Sequence, residues 1–224
     1  MPVVAAVGTV LLITFMLWFA FGTQRNIARG NDLLRWLQGG LPLVGRKTTL
    51  RWFGSSAVQL EITEAKAPYT AAQVNVVLEP RDLGWLWAWA RRRGRRDFLI
   101  LRGTLAGPPR FEVEVGGSRG WTAGDRLDRL DPDAWVRARW EDADGAVEVA
   151  HSGRATNADL ADLHQSWDDL AGVVGSLWRV SVRNLAPHVE VHLEPPTVQG
   201  DDAADPAALV GAFAALGRLV TRDL

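Results

Sequence analysis

The stretch PVVAAVGTVLLITFMLWFAFG, residues 2–22, contains no ionisable side chain and is almost unbroken Val, Ala, Leu, Ile, Phe, Met and Trp. A helix rises about 1.5 Å per residue, so roughly twenty apolar residues cross a hydrocarbon layer of about 30 Å. The stretch is just that long, and it predicts an N-terminal transmembrane helix with residues 1–24 as the anchor. A cleaved secretory signal is the rival, because Ala20-Phe21-Gly22 puts small residues at the two positions a signal peptidase reads. Such a signal opens on a basic segment and has an apolar run of only about 7–15 residues. Here no Lys or Arg precedes Arg25, and the run is longer. Arg25, Arg29 and Arg35 follow the span closely. The positive-inside rule then places the N-terminus outside and the C-terminal domain in the cytoplasm, giving a single-pass membrane protein. The absence of cysteine fits either side of a membrane.

Residues 25–43 read as a juxtamembrane helix and linker. Asn31 to Gln38 sets Leu34 and Leu37 on one side, and Gly39-Gly40 and Pro42 stop it, although the segment also suits a continuation of the anchor. Residues 44–224 are long enough to bury a core without disulfides or a structural metal. Thr49 to Phe53, a Gly54-Ser55-Ser56 turn, and Val58, Leu60 and Ile62 alternating with polar residues predict a hairpin with one wet face. Gln73 to Glu79 is the next strand, closed by Pro80. Phe98 to Leu101, apolar on both faces, suits a central strand, whereas Phe111, Val113 and Val115 alternating with Glu112 and Glu114 suit a half-exposed one. A second hairpin is expected at Trp135 to Glu141 and Ala146 to His151. Trp178 to Arg183 fits strand or helix end, and His188 to Glu194 is the clearest late strand. Leu160, Leu163, Trp167, Leu170, Val174 and Leu177 form a helical stripe. Asp205 and Pro206 open a last helix whose end carries Arg218 and Arg222.

The fold class that follows is α+β: an N-terminal transmembrane helix, then a mostly antiparallel sheet covered by about three helices. An internal echo suggests a duplicated hairpin-strand-helix unit, with repeat halves at residues 44–123 and 124–224. Arg51-Trp52 before Ala57-Val58 is matched by Arg139-Trp140 before Ala146-Val147, and Val74-x-Val76-x-Leu78-Glu79-Pro80 by Val189-x-Val191-x-Leu193-Glu194-Pro195. Amphipathic strands converge on such patterns without duplication. Charge divides along the same line, since residues 1–123 hold 16 Lys+Arg against 8 Asp+Glu and residues 124–224 hold 9 against 18. That asymmetry can draw the halves together or turn the basic half toward an anionic membrane. The net charge of −1 argues against a nucleic-acid binder.

The most distinctive soluble segment is Leu83-Gly84-Trp85-Leu86-Trp87-Ala88-Trp89-Ala90 followed by Arg91, Arg92, Arg93, Arg95 and Arg96. Trp favours the headgroup zone and Arg favours an anionic leaflet, so Trp85, Trp87, Trp89 and the five arginines are membrane-interface candidates. The same composition also fits a Trp-filled core helix followed by a solvated loop. His188, Glu190, His192 and Glu194 alternate along one strand face. At about 3.3 Å per residue the two histidines stand too far apart to share an ion, which leaves only the pair His188 and Glu190 as a weak metal candidate against a hydrated strand face. Gly40 to Thr48 lacks the Gly-Lys order and the following helix of a phosphate loop. Gly116 to Gly120 reads as a turn, and the set Asp125, Asp128, Asp131 and Asp133 lacks calcium-loop spacing. No cofactor motif, Gly-x-Ser-x-Gly elbow or cysteine nucleophile is present. The expected role is binding, as a cytoplasmic scaffold for a protein partner at the bilayer. A lipid- or anion-binding module built on Trp85 to Arg96 is the second reading and an enzyme of unrecognised type the third.

Overall fold

The computed structural model describes residues 2–117, 130–131, 133–142, 145–201 and 203–221. Helix α1, Pro2–Gln38, runs for 37 residues without a break. Residues 3–21 are each exposed, and this apolar half stands clear of the domain except at its lower end, where Trp18 meets Arg81 and Trp87. The second half behaves differently. Gly22, Asn26, Gly30, Leu33, Leu34 and Leu37 are buried, and their spacing of three or four residues makes one stripe against the domain. The segment read as juxtamembrane helix is thus the lower half of α1 and supplies core side chains, because the stripe of Leu34 and Leu37 extends upward through Gly30 and Asn26. A short turn of 3-10 helix, Leu41–Leu43, then leads into the sheet.

The strands are β1 (Gly45–Phe53), β2 (Ala57–Ala65), β3 (Tyr69–Val77), β4 (Phe98–Leu105), β5 (Val113–Gly116), β6 (Trp135–Asp142), β7 (Gly145–Ser152), β8 (Leu177–Val182) and β9 (Val189–Leu193). Helix α2 (Gly84–Arg92) lies between β3 and β4, α3 (Asn157–Val174) between β7 and β8, and α4 (Pro206–Thr221) after β9. All nine strands join one sheet in the order β1-β2-β3-β4-β9-β8-β5-β7-β6. Every neighbouring pair is antiparallel. Among the described residues the fold is therefore α+β, a single antiparallel sheet with four α-helices. The two echoed segments occupy unlike places in it: β3 lies directly beside β2, whereas β8 and β5 separate β9 from β7.

Period-2 alternation fixes which face is dry. Val74 pairs with Leu101 and Leu101 with Val191, so these apolar rows line up across the sheet. Val115 and Val180 of that face meet Leu163, Trp167 and Leu170 of α3 and Leu216 of α4. Thr156 caps α3 by accepting the Asp159 N–H at 3.2 Å, while the Asp159 carboxylate accepts the Thr156 N–H at 2.9 Å, a reciprocal capping box. The Asp205 carboxylate accepts the Ala207 N–H at 2.9 Å and opens α4 as its sequence expects. Tyr69 stacks on Phe213 with ring centroids 4.8 Å apart and donates its hydroxyl to the Phe213 carbonyl at 2.7 Å. Burial pushes the Tyr69 phenol far up, so it stays a hydrogen-bond donor. Arg222, expected near the end of α4, lies outside the described residues.

The β5 expectation needs correction. The strand is buried on both faces, and Glu114 is only 1% exposed, because the face opposite the helices carries a charged network rather than water. In the core under α3, Leu170 is fully buried. Leu170→Ala is expected to lower unfolding stability by about 2–5 kcal/mol, read as a shift in denaturant midpoint with an unchanged slope.

Candidate membrane-facing site

Helix α2 begins one turn beyond β3 and lies where α1 passes from its exposed half to its buried half. Successive helical residues are about 100° apart, so Trp87 projects opposite Trp85 and Trp89. Trp87 turns inward. Its ring lies 6.5 Å from that of Trp18 on α1, and its indole N–H donates to the Glu79 carboxylate. Trp18 donates its own indole N–H to the Arg81 carbonyl at 3.1 Å. Two glycines permit this closeness. A Cβ on Gly22 would fall 2.2 Å from the Arg81 carbonyl oxygen, and one on Gly84 would fall 2.7 Å from the Trp18 indole nitrogen.

Glu79 is the hub of the contact and is 1% exposed. Its carboxylate also accepts Arg91 Nη1 at 3.1 Å and 3.2 Å and lies 3.6 Å from Arg81 Nη2. Its carbonyl accepts the Asn26 side-chain N–H at 3.0 Å, and its own N–H donates to Asp97 at 2.8 Å. Arg81 holds Asp97 with two parallel hydrogen bonds of 2.9 Å and 3.0 Å and reaches Asn26 at 3.1 Å. A bidentate, part-buried pair of this kind is directional as well as strong. The cluster binds α1, the end of β3, α2 and the approach to β4 into one unit.

The opposite side of α2 is unpartnered among the described residues. Trp85 is 72% and Trp89 51% exposed, and Ala88 and Arg92 share their face at helical spacing. Arg93 places its guanidinium 4.2 Å above the Trp89 ring. Arg96 donates to the carbonyls of Arg91 at 3.1 Å and Arg95 at 2.9 Å, closing the helix end just after Gly94, whose φ is +82°. The structure thus sorts the eight interface candidates into three groups. Trp87 and Arg91 bind Glu79, and Arg95 and Arg96 shape the loop. Trp85, Trp89, Arg92 and Arg93 form the outward set. Phe53, itself half exposed, lies at the adjoining β1–β2 turn, where Ser55 donates to Asp82 at 2.7 Å.

The second polar cluster crosses the sheet on the face away from the helices. Arg102 of β4 holds Glu190 of β9 at 2.8 Å, and Glu190 lies 3.4 Å from both Arg179 of β8 and His192. Arg179 also binds Glu114 of β5 through two nitrogens, and Ser181 donates to Glu114 at 2.8 Å and Arg183 at 2.6 Å. The expected hydrated face of β9 is therefore a buried charge row, since neighbouring strands bring cations opposite its acids. His188 lies outside β9, and its Nδ1 accepts the Leu105 N–H at 3.0 Å. His188 and Glu190 thus serve different partners. No group of three or more His, Cys, Asp or Glu side chains among the described residues is arranged to hold a metal. Asp125, Asp128 and residues 118–120 of the glycine turn lie outside the described residues, and Asp131 accepts the Asp133 N–H in a local turn.

Sequence reasoning passed over Asn26, Arg81, Asp97, Glu114 and Arg179. A signal existed for some of them: Glu79, Asp82 and Asp97 are the only acids flanking the Trp/Arg segment, and a dense basic run draws its nearest acids. No family model matches the chain, and no curated protein is significantly similar to it.

Glu79→Ala is expected to cost about 3 kcal/mol, the low end for breaking a buried pair because Arg91 is half exposed, measured by denaturant unfolding of the full chain. Acid should loosen the sheet through the other cluster. Burial opposes the charge on Glu190, yet the His192 hydrogen bond and Arg102 hold its carboxyl down at about 2, below the ordinary 4.5. Burial, with Arg179 adding to it against the pull of Glu190, lowers His192 from 6.5. Both groups take protons more readily when unfolded, so stability falls as pH drops below 6.5 and keeps falling from 4.5 toward 2. Melting temperatures across that range check this, and Glu190→Gln should flatten the lower part.

Proposed function

We propose that this chain is a single-pass membrane-tethered binding protein whose α+β domain sits on the cytoplasmic surface of the bilayer and engages a protein partner there. The continuity of α1 carries this reading. One helix is exposed and apolar over residues 3–21, with Trp18 at the lower end of that stretch against the domain, and a buried stripe from Gly22 onward packs it into the core. A signal peptidase reads an extended segment, whereas Ala20, Phe21 and Gly22 lie within the helix and Gly22 is pressed on the Arg81 backbone. Removal of the leader would split a structural element. Arg25, Arg29 and Arg35 below the span favour a cytoplasmic domain.

Helix α2 supports close seating on the lipid, because Trp18 and Trp87 put it level with the end of the bare half and its outward face carries Trp85, Trp89, Arg92 and Arg93. The same observation favours the second reading, a module that recognises anionic lipid through that face. For a protein partner the sheet offers β1, a nine-residue edge strand that is exposed over residues 46–51 and carries Arg46, Lys47 and Arg51. An edge strand presents unpaired N–H and C=O groups to an extended segment, and its basic side chains favour an acidic one.

Alkaline carbonate washing is expected to leave the full chain in the membrane fraction; release by it overturns the anchor. Brominated lipids should quench tryptophan fluorescence less in Trp85→Ser/Trp89→Ser than in the wild type. Capture from native membranes should recover a stoichiometric partner that Lys47→Glu/Arg51→Glu fails to retain, and a partner-free monomer overturns the scaffold role.

A further inference from the structure

The seam between α1 and α2 forms a half-open groove lined by Trp18, Phe21, Gly22, Arg25, Arg81 and Trp87. Its walls are mainly apolar, and the room for a guest is only about 70 Å³, so it is a shallow groove that seats part of a chain rather than a pocket that encloses a whole ligand. The two arginines in the wall are not equivalent. Arg81 is committed to Asn26, Asp97 and Glu79. Arg25 is exposed and forms no ion pair among the described residues. It lies four residues after Phe21 and so shares its side of α1, one turn further from the bare half. Reading along the helix, an apolar slot is followed by one uncompensated cation at the depth where hydrocarbon gives way to headgroups.

We infer that this cleft binds a single anionic phospholipid, its acyl chain along Trp18, Phe21 and Trp87 and its phosphate against Arg25. The inference rests on the proposed insertion of residues 2–21 in a bilayer and adds a ligand to that reading. Lipid is the occupant because the slot is continuous with the exposed apolar surface of α1 above Trp18. The anionic kind is favoured because the free charge at the rim is positive. The outward face of α2 plays no part in this site: Trp85 and Trp89 point away from it, whereas Trp87 forms its wall.

The experiment uses the full chain in nanodiscs of phosphatidylcholine with a minority of phosphatidylglycerol, reading the lipids retained on release by native mass spectrometry. Wild type should keep phosphatidylglycerol over phosphatidylcholine by about fivefold relative to the disc composition, the ratio equivalent to about 1 kcal/mol for one basic side chain beside anionic lipid. Arg25→Gln should bring that ratio close to one, and Arg25→Lys should keep most of it. Arg35→Gln, equally basic but more than two turns below the cleft and paired with Asp32, should match wild type. Preference unchanged in Arg25→Gln, or lost equally in Arg35→Gln, overturns the inference. So does displacement of the retained lipid by water-soluble glycerophosphoglycerol, which would mark a site for the anion alone. Release from carbonate-washed membranes would instead overturn the spanning reading itself, and carbonate resistance with no Arg25 effect would overturn the lipid site only.

Discussion

The Glu79 carboxylate, buried where α1, α2 and the end of β3 converge, is the contact on which the architecture turns. An ionised group in that position is costly to desolvate, and the cost is offset because Arg81, Arg91 and the Trp87 indole all reach it. Its main-chain atoms are committed as well, one to Asn26 and one to Asp97. Through Asn26 this cluster fastens α1 to the end of β3 close to the boundary between the exposed and buried halves of the helix. Around the latch, Gly22 sits against the Arg81 backbone and Gly84 against the Trp18 ring, so close packing holds the long helix at the same level.

The sheet divides its two faces between different physics. One face is held by apolar burial under α3, α4 and the lower half of α1. The other is held across four adjacent strands by alternating charge, from Arg102 through Glu190 and Arg179 to Glu114. Such a row contributes little net free energy compared with an apolar equivalent, but it penalises any register in which a cation loses its acid. Where the sheet joins strands distant in the chain, β4 to β9 and β8 to β5, that penalty favours the observed pairing.

Much of this was legible in the residues. The alternation of Val58, Leu60 and Ile62, of Val74 and Val76, and of Val189, Val191 and Leu193 placed strands correctly, as did the helical stripe of Leu163, Trp167 and Leu170. Strand starts were read late, at Thr49 for Gly45 and at Gln73 for Tyr69, because polar or small leading residues carry no apolar signal even when the ladder has begun. Glu112 and Glu114 looked alike in sequence, yet Glu114 is buried because β8, distant in the chain, delivers Arg179, Ser181 and Arg183 to it. Local pattern carries no information about such a neighbour. The tryptophans are the opposite case: once residues 84–92 form a helix, a spacing of two already separates Trp87 from Trp85 and Trp89.

The unbroken course of α1 gives the molecule a mechanical property. With no hinge between Gly22 and Leu37, the rod and the sheet turn as one body, and the sheet acts as a lever arm. Trp52 of β1 packs directly on Gly30 of α1, so a tilt of the rod turns the β1 edge through the same angle. In the proposed bilayer setting, whatever tilts the helix would then register as a change in the angle at which that edge is offered.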